Sequence, residues 1–186
     1  MIYIVGHKNP DTDSVVSAIA YADFKGDNFI PAVLGELNNE TRFILEKFKV
    51  NTPILLTSIN EDDRVVLVDH NEQSQTLEGI KDSQIVEILD HHKVNISFSG
   101  PIYLSTKPYG STASLITEKF LESKKEISSK IAGLLLSAIL SDTVIFKSPT
   151  TTETDKEFAQ NLAKIAGIEN IVEYGMELFK KKAEIS

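Results

Sequence analysis

Short apolar segments rich in β-branched residues alternate with longer amphipathic segments, and this alternation constrains the fold most. The short segments predict six strands: Ile2–Val5, Phe29–Leu34, Ile54–Leu56, Arg64–Val68, Ile85–Leu89 and Ile102–Leu104. Several are near-continuous apolar runs, as expected for parallel strands that are covered on both faces. The longer segments predict six helices: Ser14–Phe24, Glu40–Phe48, Ser111–Leu121, Ser128–Leu140, Thr154–Ile165 and Asn170–Lys181. The alternation therefore predicts right-handed βαβ units in one doubly wound α/β domain.

Polar residues near the starts of these helices predict their N-caps. A side-chain oxygen at this position accepts a hydrogen bond from an N–H group that the first helical turn leaves unpaired. The candidates are Asp13 or Ser14, Asn39, Ser111 and Thr154.

Composition excludes several classes of function. The 186 residues contain no cysteine, which rules out disulfide scaffolds, zinc–thiolate sites and cysteine nucleophiles. The 19 basic and 27 acidic residues give a net charge of −8, which argues against nucleic-acid binding. The longest apolar segment, Ala132–Leu140, is shorter than the ~20 residues that a membrane-spanning helix needs. We expect a soluble, cytoplasmic protein that forms one domain over residues 1–186.

All four histidines follow predicted strands, and each has an aspartate nearby. The three segments are Gly6-His7-Lys8-Asn9-Pro10-Asp11-Thr12-Asp13, Asp69-His70-Asn71 and Asp90-His91-His92. Ligands of open parallel sheets bind beyond the carboxyl ends of the strands, so these segments predict one shared site. Any one of them alone has an equally simple explanation as an ordinary loop histidine or as turn and N-cap aspartates.

The charge of this predicted site indicates a metal centre. Clustered carboxylates repel one another, and divalent cations remove the cost of ionising them together. A set rich in oxygen with a few imidazoles suits manganese, iron, cobalt or magnesium. Asp142 adds a carboxylate near a helix C-terminus, where the helix dipole disfavours an anion unless a cation is present. Asp69, at the end of a central strand, is well placed to bridge two ions, so the residues predict a dinuclear metallo-phosphoesterase.

These motifs, in this order, resemble those of the DHH phosphoesterase superfamily. The similarity is strongest to the N-terminal catalytic domain of the family II, manganese-dependent inorganic pyrophosphatases, and it extends over the whole chain. The segments that carry it are Gly6–Ser14, Val68-Asp69-His70-Asn71-Glu72, Leu89-Asp90-His91-His92, Leu140-Ser141-Asp142 and Phe146-Lys147-Ser148-Pro149-Thr150.

The resemblance implies a role for each residue of these motifs. His7 and Asp11 would bind a first metal ion, Asp13, His91 and Asp142 a second, and Asp69 both. His92 would contact the substrate or protonate the leaving group, while a hydroxide shared by the ions attacks pyrophosphate. The resemblance further implies two Mn²⁺ per chain with Co²⁺ as a substitute, Mg²⁺ arriving with the substrate, a five-stranded sheet with flanking helices, and a homodimer.

Other polar residues near the motifs have less specific signals. His70 and Asn71 are candidates for orienting the metal ligands, and Asp90 for supporting His91. Gly110-Ser111-Thr112 opens a helix, so it is either a phosphate-binding turn or simply an N-cap. Lys147 is either a substrate contact or a solvated lysine.

The resemblance also has a limit and leaves alternatives. Nothing in this sequence matches the basic motif of the second, C-terminal domain that clamps the substrate in the full family enzyme. We therefore expect metal binding with weak or no pyrophosphatase activity.

The alternatives are another DHH phosphoesterase, acting on polyphosphate, an oligonucleotide or a cyclic dinucleotide, or a non-catalytic metal-binding dimerisation module.

Overall fold

The computed structural model describes residues 1–184 as one parallel sheet with α-helices. Its strands are β1 (Ile2–Val5), β2 (Phe29–Val33), β3 (Ile54–Leu55), β4 (Arg64–Val68), β5 (Ile85–Asp90) and β6 (Tyr103–Thr106). Its helices are α1 (Thr12–Lys25), α2 (Asn39–Lys47), α3 (Thr112–Glu122), α4 (Ser129–Asp142), α5 (Glu153–Ala166) and α6 (Ile171–Ala183). The α/β class and the parallel sheet are as predicted.

The strand order places the ends of β1 and β4 beside each other at the centre of the sheet. The order is β3-β2-β1-β4-β5-β6, and all pairs are parallel. The chain moves outward from β1 to β3 and then returns to the other side of β1 as β4. This reversal opens a crevice beyond the carboxyl ends of β1 and β4, where parallel α/β folds bind ligands. Asp69 follows β4 directly, and His7 follows β1 after Gly6.

The two faces of the sheet are covered differently, although the doubly wound domain predicted from the sequence would have helices on both faces. One face contributes Ile4, Val66 and Leu89 to a core that contains residues of all six α-helices. The other face packs against apolar residues of connecting loops, including Ile59, Leu77, Ile80, Ile96 and Phe98. Once the strand order reverses, right-handed connections pass over the opposite face. Within residues 1–184, the connections from β4 to β5 and from β5 to β6 contain 3₁₀ turns or loops but no α-helix.

Strand number and N-caps differ in detail from the expectations. The sheet has six strands, as the apolar segments predict, rather than the five that the resemblance implies, because the short β3 pairs with the end of β2. Ser111 caps α3 as predicted. The caps of α1, α2 and α5 are Asp11, Asn38 and Thr152, each one to three residues earlier than expected. The predicted caps of these three helices were wrong because several polar residues occur in succession near each helix start. Only the backbone geometry shows which of them is the cap.

Helix α4 is the central element of the helical layer. It packs against α1, α3, α5 and α6, and its residues from Ile131 to Ser141 are all buried. Because neighbours surround it, its sequence is apolar on almost every side rather than along one stripe. Among residues 1–184, no helix is long and apolar enough to cross a membrane.

Gly133 permits the close contact between α4 and the end of α2, and this gives a first prediction. A Cβ atom at this position would lie 2.2 Å from the Phe48 ring. Alanine favours a helix over glycine by ~1 kcal/mol, but overpacking of this kind costs about 1–3 kcal/mol. Because the clash involves an aromatic ring, we expect Gly133→Ala to lower the free energy of unfolding by about 1–2 kcal/mol, the upper part of this difference, as measured by urea denaturation. Ser129→Ala, at an exposed position of the same helix, is the control and should change it by less than about 0.5 kcal/mol. A Gly133→Ala variant as stable as this control would contradict the prediction.

Candidate metal centre

The first group of potential metal ligands lies beyond the ends of β1 and β4. His7 Nε2 is 3.6 Å from Asp11 Oδ1 and 3.4 Å from Asp69 Oδ2. One ligand atom from each of these three residues lies within 4.8 Å of the others. The geometry is therefore compatible with a shared cation.

A second group adjoins the first and shares Asp69. His91 Nε2 is 3.4 Å from Asp69 Oδ1, 3.3 Å from Asp142 Oδ2 and 3.7 Å from Asp13 Oδ2. Asp142 is the last residue of α4, rather than lying just beyond the helix as expected. The two oxygens of Asp69 thus face different groups. The structure brings all six predicted metal-ligating residues together in this arrangement: His7, Asp11, Asp13, Asp69, His91 and Asp142.

Asp69 has an unusual backbone conformation that directs its carboxylate into the crevice. Its φ is +62°, in the left-handed region that aspartate tolerates better than most residues with a side chain. The hydroxyl groups of Thr112 and Ser14 donate to Oδ1 and Oδ2 at 3.1 and 3.3 Å. The carboxylate is almost fully buried, so these contacts fix it between the two groups.

Asp13 is held by the N-terminus of α3. The backbone N–H groups of Thr112 and Ala113 donate to its two oxygens at 2.9 and 3.0 Å. The sequence left open whether residues 110–112 bind phosphate or only cap a helix. The structure favours a structural role, since these N–H groups are already bonded to Asp13 and fix one of the potential ligands.

The backbone selects the same tautomer for both histidines of the two groups. His7 Nδ1 lies 2.7 Å from the carbonyl oxygen of Lys8, and His91 Nδ1 lies 2.8 Å from that of Tyr109. A carbonyl oxygen can only accept, so Nδ1 carries the hydrogen in each ring. In the neutral rings the Nε2 lone pairs then face the carboxylates. Metal-ligating histidines commonly have this arrangement.

Without a cation, this arrangement favours protonated histidines. The facing carboxylates of Asp11 and Asp69 raise the pKa of His7 to about 11. Burial alone lowers the pKa of His91, but the carboxylates of Asp142 and Asp69 outweigh it and raise the pKa to about 10. Positive charge at the position of each Nε2 hydrogen therefore stabilises the cluster.

The carboxylates respond to burial and to one another. Burial and the neighbouring charge of Asp69 raise the pKa of Asp13. The pKa of Asp142 is also raised, chiefly by burial. Burial opposes ionisation of Asp69 too, but its contacts with His7 and His91 hold its pKa below the usual range. The cluster therefore concentrates negative charge that a cation would compensate.

The residues present fit divalent metal ions. His91 Nε2 is buried and has no hydrogen-bond partner among residues 1–184, which is costly unless a proton or a metal cation lies between it and the carboxylates. Carboxylate oxygens with one imidazole nitrogen in each group suit manganese-like ions. His7, Asp11 and Asp69 could hold one ion, and Asp13, Asp69, His91 and Asp142 another.

His92 differs from His91 in its partners. Its Nδ1 donates to Asp90 Oδ1 at 2.6 Å, and Asn71 Nδ2 donates to Asp90 Oδ2 at 2.7 Å. Asp90 therefore supports the ring of His92, not that of His91 as expected. His92 also falls within ligand distance of Asp69 and His91, but its Nδ1 is 3.9 Å from Asp69 and already bonded to Asp90.

A polar cavity of about 570 Å³ opens beside these residues. Its lining includes His7, Asp69 and His92 together with two cations, Lys8 and Lys93. Another cavity, of about 390 Å³, lies between β2, β3 and α2, away from the histidines. The polar cavity gives a small ligand access to the cluster.

The remaining candidates from the sequence have more limited contacts. His70 is buried, and its Nδ1 donates to the carbonyl oxygen of Val68 at 2.8 Å. Burial lowers its pKa to about 4, so the ring is neutral. Lys147 is exposed. The structure thus places His70 behind the cluster and gives Lys147 no defined role.

Sequence reasoning missed a buried carboxylate that connects the ligand-bearing segments. Glu40 Oε1 accepts hydrogen bonds from Thr12, between Asp11 and Asp13, and from Ser141, next to Asp142. It lies in α2, far from any motif, and the sequence carries no signal that this glutamate is buried. A second missed residue, Asp155, contacts the start of α3.

Several known proteins are similar to this chain in sequence. The model of the DHH family, N-terminal domain, matches residues 1–139. A manganese-dependent inorganic pyrophosphatase of Methanocaldococcus jannaschii is 49% identical over 193 residues, covering 100% of this chain and 62% of the relative. Its counterpart in Bacillus subtilis is 45% identical and is covered to 61%. The chain thus spans about three fifths of the length of these curated relatives.

Two solved structures resemble the fold. A Methanococcus jannaschii structure assigned to the family II inorganic pyrophosphatases has a TM-score of 0.92 and 50% identity, with 97% of this chain and 61% of that chain covered. An exopolyphosphatase-related protein from Bacteroides fragilis has a TM-score of 0.76 at 19% identity, with 100% of this chain and 56% of that chain covered. The second likeness concerns the fold alone.

Proposed function

The chain belongs to the DHH family, and from this premise we propose that it is the metal-binding catalytic part of an enzyme that hydrolyses inorganic pyrophosphate to two phosphates. The observation that carries the proposal is the pair of ligand groups that share Asp69. Two adjacent ions suit the displacement of a phosphoryl group, because the pair can stabilise both the attacking and the leaving oxygen. The names of the similar curated proteins supply the substrate, pyrophosphate, and the metal, manganese.

The proposal assigns a cation to each group of ligands. His7, Asp11 and Asp69 would hold one Mn²⁺, and Asp13, Asp69, His91 and Asp142 would hold the other. When bound, such ions supply Lewis acidity and a water whose pKa is low enough to make it a nucleophile at neutral pH. Co²⁺ is a proposed substitute, and Mg²⁺ is proposed to accompany the substrate. The cations also reverse the local charge, which a polyanionic substrate requires in a chain of net charge −8.

His92 is the proposed proton donor to the leaving phosphate. Asp90 fixes its Nδ1 and raises its pKa, so the ring holds a proton more readily than a solvated imidazole. Its side chain is about half exposed and lines the polar cavity, within reach of a small ligand. Lys8 and Lys93 are the lysines that line this cavity. Pyrophosphate carries up to four negative charges, and these two lysines compensate only part of them. We therefore propose that this chain turns pyrophosphate over slowly.

The proposal extends to assembly and location. Residues 1–186 are proposed to form one catalytic domain that pairs as a homodimer in the cytoplasm, without a nucleic-acid or membrane partner. Sedimentation of the purified chain tests the dimer directly, and a monomer at micromolar concentration would contradict that part.

The decisive experiment counts Mn²⁺ ions and then compares substrates. Calorimetric titration of the metal-stripped chain should reveal two Mn²⁺ sites per chain. The loaded chain should then release detectable phosphate from pyrophosphate and leave a short oligonucleotide uncut. Cleavage of the oligonucleotide alone would identify a different DHH phosphoesterase, and two bound ions without turnover would identify a non-catalytic module. Fewer than two ions would refute the dinuclear assignment.

A further inference from the structure

One peptide group connects a metal-ligating histidine to a buried carboxylate outside the motifs. His91 Nδ1 donates to the carbonyl oxygen of Tyr109 at 2.8 Å. The N–H group of the same peptide unit, that of Gly110, donates to Asp155 Oδ2 at 2.9 Å. The hydrogen bonds therefore run from His91 through this peptide group to Asp155. Consecutive hydrogen bonds of this kind polarise one another in a buried environment.

Asp155 is well suited to polarise its donors. Its residue is fully buried, and it accepts from the N–H of Gly110, the N–H and hydroxyl of Thr152, and the hydroxyl of Ser114. All of these donors are uncharged, so they share the negative charge of the carboxylate instead of neutralising it. Hydrogen bonds to a charged acceptor are roughly twice as strong as those between neutral groups.

The close approach of Asp155 requires glycine at position 110. A Cβ atom there would lie 2.9 Å from Asp155 Oδ2 and 2.7 Å from Thr143 Cγ2. No larger residue fits without moving the carboxylate or the residue that follows Asp142. The sequence thus provides both the carboxylate and the space for direct contact with the peptide group.

Asp155 also reaches a second metal ligand through α3. Ser114, in the first turn of α3, donates to Asp155 Oδ1. The N–H groups at the start of the same helix bind Asp13. Asp13 and His91 belong to the same group of ligands, whereas the described contacts of Asp155 do not include His7 or Asp11. Its influence is therefore directed to one of the two proposed ions.

We propose that Asp155 is a positioning residue for the metal site formed by Asp13, Asp69, His91 and Asp142, and that it acts on His91 through the peptide group of Tyr109 and Gly110. The carboxylate makes the Tyr109 carbonyl a stronger acceptor, which orients the His91 ring and makes Nε2 a better donor to a metal ion. Carboxylates bonded directly to metal-ligating histidines have this effect, and here one peptide group lies between them. The inference rests on the dinuclear site of the proposed function.

The test is Asp155→Asn, which keeps the shape of the side chain and can still accept from Gly110 while removing the charge. Titration with Mn²⁺ should show one site weakened about 10- to 100-fold and the other unchanged. Asp63→Asn is the matched control, because Asp63 is also a buried aspartate that accepts from a loop N–H, but at the opposite end of the sheet. This control should bind both ions as the wild-type chain does.

Nuclear magnetic resonance gives a readout that a purely structural role would not change. In the Mg²⁺-loaded chain, the His91 Nδ1 proton should resonate far downfield and move upfield in Asp155→Asn. In the wild-type chain alone, the Gly110 amide proton should be downfield and protected from exchange, so the test does not require the variant to fold. The inference would be overturned if Asp155→Asn weakened both Mn²⁺ sites equally, or if the chemical shift of the His91 Nδ1 proton were the same in this variant as in the wild type. A Gly110 amide that exchanges rapidly in the wild type would also overturn it. A wild-type chain that binds fewer than two Mn²⁺ would instead overturn the proposed function.

Discussion

Asp69→Asn is expected to abolish the tight binding of both Mn²⁺ ions, because each of its oxygens faces a different group of ligands. An amide keeps one oxygen but places an N–H₂ group where the other carboxylate oxygen was. This group cannot accept from Ser14 or Thr112, and it cannot bind a cation. The oxygen that remains belongs to a neutral amide and binds a cation more weakly than a carboxylate does, so the site that it faces is weakened as well. Substitutions behind a metal ligand already cost about 10- to 100-fold in affinity, so losing the shared carboxylate should cost at least about 100-fold at both sites.

Calorimetric titration with Mn²⁺ measures this effect, and Asp11→Asn is the control. Asp11 belongs to the first group only, and asparagine also serves as an N-cap, so α1 should begin as before. We expect this control to lose one ion and keep the other. An Asp69→Asn variant that still binds one ion tightly would show that Asp69 does not bridge the two sites.

The same substitution should change the stability of the two forms differently. Without metal, Asp69 faces the protonated rings of His7 and His91, which hold its pKa below the usual range, so the neutral amide should lower the melting temperature. With Mn²⁺ at 100 times its dissociation constant, each site stabilises the wild-type chain by about 2.7 kcal/mol. The variant should lose this gain, and a metal-induced rise in its melting temperature equal to that of the wild type would contradict the assignment.

The sequence predicted the fold class and the candidate ligands because both depend on local patterns. Near-continuous apolar runs indicated parallel strands, and parallel strands place their carboxyl ends at one edge. Residues directly after β1, β4 and β5, such as His7, Asp69 and His91, had to converge there. The assignment of these residues to two groups came instead from the resemblance to the family II pyrophosphatases, because the patterns do not show which side chains share an ion.

Features that depend on tertiary contacts could not be predicted. Asp155 resembles an ordinary capping residue of α5, and its contact with Gly110 depends on how α5 packs beside α3. Glu40 lies in a helix with an exposed polar side, and only packing shows that it is buried. The loops that cover the second face of the sheet carry scattered apolar residues without a period. In each case the missing information was which distant segments meet.

The second large effect concerns turnover rather than metal binding. We expect His92→Gln to reduce phosphate release from pyrophosphate by about 100-fold or more, since a positioned proton donor contributes about 10²- to 10⁴-fold. Glutamine can still donate to Asp90, but it cannot deliver a proton to the leaving phosphate. Both Mn²⁺ sites should remain, because the Nδ1 atom of His92 is already bonded to Asp90 and lies 3.9 Å from Asp69.

Phosphate release at saturating Mn²⁺, together with titration of the variant, separates this role from metal ligation. Asp90→Asn is the companion variant, because it leaves the imidazole in place and removes the charge that orients it and raises its pKa. Asp90→Asn should also lower turnover, but by less than His92→Gln does. If His92→Gln instead lost one Mn²⁺ site, His92 would be a ligand in the group with Asp69 and His91. If turnover were unchanged with both ions bound, the proton would have to come from the metal-activated water or from the solvent, and His92 would have no catalytic part.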